Sequence, residues 1–313
     1  MSSPSDIVPG AAPRADLPGR ATASVAPTPT RPFFWSVRRE LWENGSIWIA
    51  PLSAAGVILV GFLLALANLP GRVPSFGGRG GVRHALPPEA PYGIVAVVLL
   101  VTAIIVGVFY CLGALNAERR DRTILFWKSL PVSDLTTVAA KAFIPLVVLP
   151  IVAFVVAALT QGVILGLSAA SAAASGSKLA ALMTDVPFFS MLGVLAYTAA
   201  VVAIWYAPVW GWCLLVGAWA RRVAFLWAVA PPLAICVIER IAFGSSFFAH
   251  LIGSRLNPPL AAFSAPAQGR MVIDLGVLDP VGFLTSPGLW LGLAAGAGFA
   301  AAAVWVRRYR DPI

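Results

Sequence analysis

Residues 92–115 read YGIVAVVLLVTAIIVGVFYCLGAL, from Tyr92 to Leu115, with no charged side chain anywhere in the stretch. At about 1.5 Å per residue, a helix of this length covers the ~30 Å hydrocarbon core of a bilayer. A soluble helix would need a polar face at its 3.6-residue period, and this stretch has none. Its reading as a membrane span decides the fold class, because five comparable runs follow the same rule: Ile47–Ala67, Phe143–Leu167, Phe188–Trp219, Val223–Ile238 and Gly288–Val306.

The composition agrees. Of 313 residues, 59% are hydrophobic and 11% charged, against about a quarter charged in soluble domains. Backbone groups in lipid must be bonded internally, and a barrel would show alternating segments of about ten residues, so the expected class is all-α: a polytopic membrane protein with six transmembrane helices. The run 188–219 is too long for one upright crossing and too short for two with a turn. It is expected to form one tilted helix bent at Pro208.

Basic residues set the expected orientation. Fifteen of the 22 Lys and Arg lie on the side that holds both ends of the chain, among them Arg38, Arg39, Lys128, Lys141, Arg221, Arg222, Arg307 and Arg308; seven lie on the other. The positive-inside rule makes the first side cytoplasmic. The net charge of +9 is then a topology signal, with attraction to anionic lipid as a second effect, and no nucleic acid is expected as a partner. No apolar core precedes Ile47, so the first span is expected to act as its own insertion signal. Cys111, Cys213 and Cys236 sit in apolar runs without CxxC spacing and read as small buried hydrophobes.

Outside the spans, residues 1–30 are rich in Pro, Ala, Ser and Thr and read as a disordered cytoplasmic tail; the six-helix transmembrane domain is expected over 31–313. From residue 31 to 43, Phe34, Val37 and Leu41 fall at helical spacing beside Arg38, Arg39, Glu40 and Glu43. That pattern predicts a helix lying in the membrane interface, ending at Asn44-Gly45. Pro70–Pro91 is Gly-rich but has no Gly-Lys-Ser/Thr, so it is a loop and no phosphate cradle. Segment 244–287 is the long loop on the opposite side, with apolar patches that predict short helices at the outer interface.

The loop after the second span is the informative one. It runs Glu118-Arg119-Arg120-Asp121-Arg122-Thr123-Ile124-Leu125-Phe126-Trp127-Lys128-Ser129-Leu130-Pro131-Val132-Ser133. Five consecutive charges lead into a helix-compatible stretch with Ile124, Leu125, Trp127 and Leu130 apolar, and Ser133 can cap the next helix with Thr136 and Thr137 starting it. A short amphipathic helix exposing charge and large apolar groups suits the docking of a soluble partner.

This stretch resembles the coupling-helix segment of ABC-transporter permeases of the type-2 (exporter) class. The plan of an interfacial helix, six spans and a long external segment before the last span is similar too. Arg122 departs from the Gly that often precedes the Thr there, which alters the turn into the helix. The resemblance implies a transport subunit without enzymatic activity or cofactor of its own, in a bacterial plasma (inner) membrane with both termini cytoplasmic. It implies as partners two ABC ATPase subunits and a second permease copy or a related permease. It also implies that Glu118, Arg119, Arg120, Asp121, Arg122, Thr123, Leu125, Trp127, Leu130 and Pro131 couple to the ATPase. No nucleotide motif occurs in this chain, so ATP would be bound elsewhere.

Ser246 and His250 could meet at i, i+4, which is the basis of an alternative reading as an intramembrane hydrolase; a non-transporting membrane scaffold is the other alternative. Two histidines, His84 and His250, without HExxH spacing build no zinc site. Glu239 and Arg240, at the outer end of the fifth span, read either as an interface anchor or as a charge pair bearing on a gate or substrate path. Pro231-Pro232 breaks the ladder of the same span. Gly162/Gly166 and Gly292/Gly296 are expected seams of close helix packing.

Overall fold

The computed structural model describes residues 32–68, 89–120, 133–175, 184, 186–220, 222–258 and 278–309. Every regular element among them is helical: α1 (Pro32–Glu43), α2 (Ser46–Asn68), α3 (Ala90–Arg120), α4 (Asp134–Phe143), a π-helix (Ile144–Val148), α5 (Leu149–Ser175), α6 (Phe188–Trp205), α7 (Ala207–Trp219), α8 (Ala224–Phe243), α9 (Phe247–Leu256), α10 (Pro280–Thr285) and α11 (Pro287–Tyr309). Six helical stretches are long and apolar enough to cross a bilayer, beginning at Ser46, Ala90, Asp134, Phe188, Ala224 and Pro287. Each overlaps one of the six apolar runs, and the chain has the build of an integral, polytopic membrane protein. The tail 1–30, most of the loop 70–91, residues 121–132 of the docking segment and residues 259–277 of the long loop lie outside the described residues.

Three expectations are corrected. The run 188–219 forms two helices, α6 and α7, which meet at Tyr206 (φ −82°, ψ 5°). Pro208 supplies no N–H, and its ring crowds the preceding turn, so the bend falls before the proline. Ala203 C=O, facing the break, accepts the indole N–H of Trp210 at 3.2 Å. The third span starts earlier than Phe143, at Asp134, and continues through the π-helix to Ser175. Pro145 and Pro150 each withdraw a donor here, and the ladder adapts by a five-residue step in which Leu149 N–H reaches Ile144 C=O. Among the described residues, a side chain added at Gly162 or Gly166 would meet nothing within 4 Å, so neither glycine marks a close helix contact within this chain.

The Gly292/Gly296 expectation fares differently. A Cβ on Gly296 would sit 2.8 Å from Ala207 O, and one on Gly211 would sit 2.6 Å from Gly296 O. The backbones of α7 and α11 therefore touch, as small residues at helix crossings allow. Gly217 gives α7 the same approach to α3, where a Cβ would lie 2.9 Å from Cys111 O. Short α7 is thus the central post, wedged between α3 and α11 with Leu214, Val216 and Ala218 buried along it. By contrast few residues of α2 and α8 are fully buried, and each turns a broad apolar face outward, which is what lipid-facing helices do.

Candidate functional site

Among the described residues, two clusters hold charged side chains bonded between helices, and the first is where α1 packs on the bundle. There Ser133 caps α4 as the sequence predicts: its Oγ accepts from Thr136 N–H at 3.1 Å. Asp134 opens the helix and Lys141 lies in its last turn. Seven residues apart, they share one helical face. Lys141 Nζ donates to Glu40 Oε1 at 2.7 Å. Glu40 Oε2 accepts from Tyr110 OH at 2.8 Å and from Asn44 Nδ2 at 3.3 Å. Glu40 and Lys141 are both buried, at 4% and 2% exposure. Two charges persist in such surroundings only when paired and hydrogen-bonded together. At the start of α4, Arg307 Nε of α11 donates to Asp134 Oδ1 at 2.8 Å. Helix α4 thereby ties the first helix of the bundle to the last.

Sequence reasoning missed this cluster. It counted Lys141 and Arg307 only among the basic residues that set orientation, whereas both side chains are buried and paired. The available signal was Glu40 itself, a carboxylate on the same side of α1 as Val37 and Asn44, facing away from Trp35 and Trp42.

The predicted docking residues adjoin this cluster along the chain. Glu118, Arg119 and Arg120 belong to the final turn of α3. Asp121, Arg122, Thr123, Leu125, Trp127, Leu130 and Pro131 lie outside the described residues. Both flanks of the segment, the end of α3 and the capped start of α4, are at the α1 end of the bundle.

The second polar cluster surrounds α9. Trp212 Nε1 of α7 donates to Ala228 O near the start of α8 at 3.0 Å, taking the carbonyl that Pro232 leaves without its helical donor. Tyr206, about 9 Å further along at helical rise, donates its hydroxyl to Leu256 O at 2.7 Å. Helix α9 therefore turns back toward the bundle after α8, and its C-terminus rests on the α6–α7 break. Trp205 Nε1 caps Arg255 O at 3.1 Å, and the Arg255 guanidinium lies 4.5 Å from the Trp205 ring centre while bonding Gly288 O of α11.

Glu239 and Arg240 hold the other end of this hairpin and do not pair with each other. Glu239 Oε1 accepts from Ser245 Oγ at 2.6 Å and Phe247 N–H at 2.7 Å, and Oε2 accepts from Phe248 N–H at 2.8 Å. The carboxylate thus serves the first amides of α9, where a negative charge also favours the helix dipole. Arg240 Nη1 donates to Gly244 O at 3.0 Å, closing the turn in which Gly244 takes φ +65°.

Elsewhere, an apolar cleft of about 300 Å³ lies between the π-helix and α6, lined by Leu146, Pro150, Phe154, Ala199 and Ala203 among others. Ser246 and His250 are linked only through the backbone, His250 N–H to Ser246 O at 2.9 Å. Cys111 and Cys213 are buried as expected, and Cys236 is partly exposed. No group of three or more His, Cys, Asp or Glu that could hold a metal occurs among the described residues. No protein-family model matches the chain, and neither does any curated protein or solved structure.

Proposed function

We propose that the chain is the permease subunit of an ATP-driven exporter of the type-2 class, working with two ATPase subunits and a second permease. The observation that carries this reading is the segment Glu118–Ser133, whose charge and apolar pattern suits docking. Its setting supports the reading further. The segment leads straight into α4, which is ion-paired to α1 through Lys141 and to α11 through Asp134. A push delivered to the start of α4 would reach both α1 and α11 through these ion pairs, and rocking of rigid helices is how such proteins alternate their access. In this reading the α1 end is cytoplasmic, α1 lies in the inner leaflet's interface, and the α8–α9 hairpin with Glu239 and Arg240 stands at the outer gate.

The test is co-purification with an ATPase encoded beside this chain, together with transport-stimulated ATP hydrolysis. Leu125→Ala and Trp127→Ala should each weaken attachment, by roughly 2 kcal/mol if they sit at the centre of the contact. Full attachment and full coupling in every such variant, Glu118 and Arg119 variants included, would remove the reading's support.

A further inference from the structure

Helix α1 turns Val37, Leu41 and the carboxylate of Glu40 to the bundle, and it turns Trp35, Arg38 and Trp42 away, with Phe34 beside them. Trp35 and Trp42 are 56% and 78% exposed. They are two turns apart, about 10.5 Å at helical rise, and the guanidinium carbon of Arg38 sits midway, 5.3 Å from one ring centre and 5.2 Å from the other. Contact with two aromatic rings holds a guanidinium in place while leaving N–H groups to reach an acceptor.

The charges of α1 are otherwise compensated. Arg39 Nε bonds Glu43 Oε1 at 2.6 Å, and Glu40 is neutralised by Lys141. Among the described residues Arg38 has no carboxylate partner. An uncompensated cation flanked by two exposed indoles asks for an anion located where indoles also settle, which is the head-group layer of a bilayer. The bilayer is at hand, because α2, the first apolar span, begins three residues after α1 ends and continues its exposed surface with Trp48, Ile49 and Leu52.

We propose that Trp35, Arg38 and Trp42 form a binding site for the phosphate of an anionic phospholipid. The guanidinium takes the phosphate oxygens in a bidentate bond, and the two indoles pack against the glycerol and upper acyl region on either side. The Glu40–Lys141 pair acts on this site indirectly, by fixing the roll of α1 so that the three residues face out. The inference rests on the interfacial placement of α1 proposed above and not on the identity of any ATPase.

The experiment uses the full chain in nanodiscs of phosphatidylcholine containing one-fifth phosphatidylglycerol, followed by detergent washing and mass-spectrometric counting of the lipids retained. The parent and Arg39→Gln should retain phosphatidylglycerol, and Arg38→Gln should retain about fivefold less, the share one basic residue contributes near an anionic surface. Phosphatidylcholine should be unchanged in all three, and Arg38→Lys should fall between. Equal retention of phosphatidylglycerol by Arg38→Gln and the parent overturns the site. Displacement of the lipid by millimolar inorganic phosphate overturns it in favour of a soluble anion. Unchanged lipid with lost ATPase attachment overturns it in favour of a protein contact. Spin labels along residues 33–43 separate the two layers of the argument: uniform aqueous exposure removes the interfacial placement, whereas retained depth with unchanged lipid removes this site alone.

Discussion

Lys141 Nζ and Glu40 Oε1 stand 2.7 Å apart, joining residues separated by 101 positions, and neither side chain is more than 5% exposed. The pair pins α1 to α4 from inside, with Tyr110 OH of α3 as a third member. Replacing one charge strands the other in an apolar environment, which costs about 3 to 5 kcal/mol. Lys141→Met should therefore lower the thermal midpoint in detergent far more than Glu40→Gln combined with Lys141→Met. Equal loss in the single and double variants would mean that packing, and not charge, holds α1.

Arg307 and Asp134 make the second tie of α4, but Asp134 is 26% exposed. Solvent reaches Asp134, but Arg307 is only 5% exposed and would lose its carboxylate partner, so Asp134→Asn should cost about 1 to 3 kcal/mol, less than the Lys141 change. With the fold kept, this variant should retain the ATPase and lose part of its transport-stimulated hydrolysis. Parent-like coupling would show that the tie to α11 transmits nothing.

Indole N–H groups satisfy carbonyls that helix breaks release, and lipid offers no water to replace them. Trp212 serves Ala228 O beside Pro232, and Trp210 serves Ala203 O at the α6–α7 break. Trp212→Phe keeps the ring, removes the donor and leaves the carbonyl orphaned, a loss of about 1 to 3 kcal/mol. Trp305→Phe, on an exposed ring of α11, should change the unfolding midpoint little. A Trp212→Phe protein as stable as the parent would mean that the freed carbonyl finds another donor.

The two glycine pairs divide in the same assay. Gly211→Ala would drive a methyl group to 2.6 Å from Gly296 O, and forcing α7 from α11 should cost about 1 to 3 kcal/mol. Gly162→Ala meets open space, so its helix propensity should make it neutral or stabilising by up to ~1 kcal/mol. Reversal of that order in detergent melts would contradict the α7–α11 contact.

The spans were legible because a run such as Tyr92–Leu115 has one physical use, and Ser133 announced its helix start by residue type alone. What stayed hidden depends on pairing across the fold. Lys141 and Arg307 read as flank cations because a charge near a span end resembles a topology signal whether it faces water or a buried carboxylate. Gly162/Gly166 and Gly292/Gly296 have the same spacing, yet only in the second pair do neighbours press close, the Arg255 guanidinium on Gly292 and the Ala207 backbone on Gly296, and spacing cannot say which side of a helix meets a neighbour. The break at Tyr206 was signalled by Pro208 but displaced from it, since a proline disturbs the turn before itself. Glu239 and Arg240 stood out as charges in an apolar run; that they serve the hairpin turn could be seen only once α9 was placed.

That hairpin supports a last prediction. Helix α9 is held at its N-terminus by the Glu239 carboxylate and at its C-terminus by Tyr206 and Trp205. Its own residues contribute little to the core, for none of Phe247–Leu256 is buried. A short helix with few apolar contacts depends on its end bonds, and its opening should be cheap compared with unfolding of the bundle. Glu239→Ala removes the acceptor of two backbone amides and the Ser245 hydroxyl at once, so amide hydrogen exchange over 247–256 should accelerate while α3 and α7 stay protected. Tyr206→Phe, which leaves the Trp205 bond in place, should accelerate exchange only toward Leu256. The double variant should exchange fastest along the whole helix. Exchange over 247–256 that matches the parent in Glu239→Ala would show that the carboxylate does not hold the hairpin, and the proposed outer gate would lose its latch.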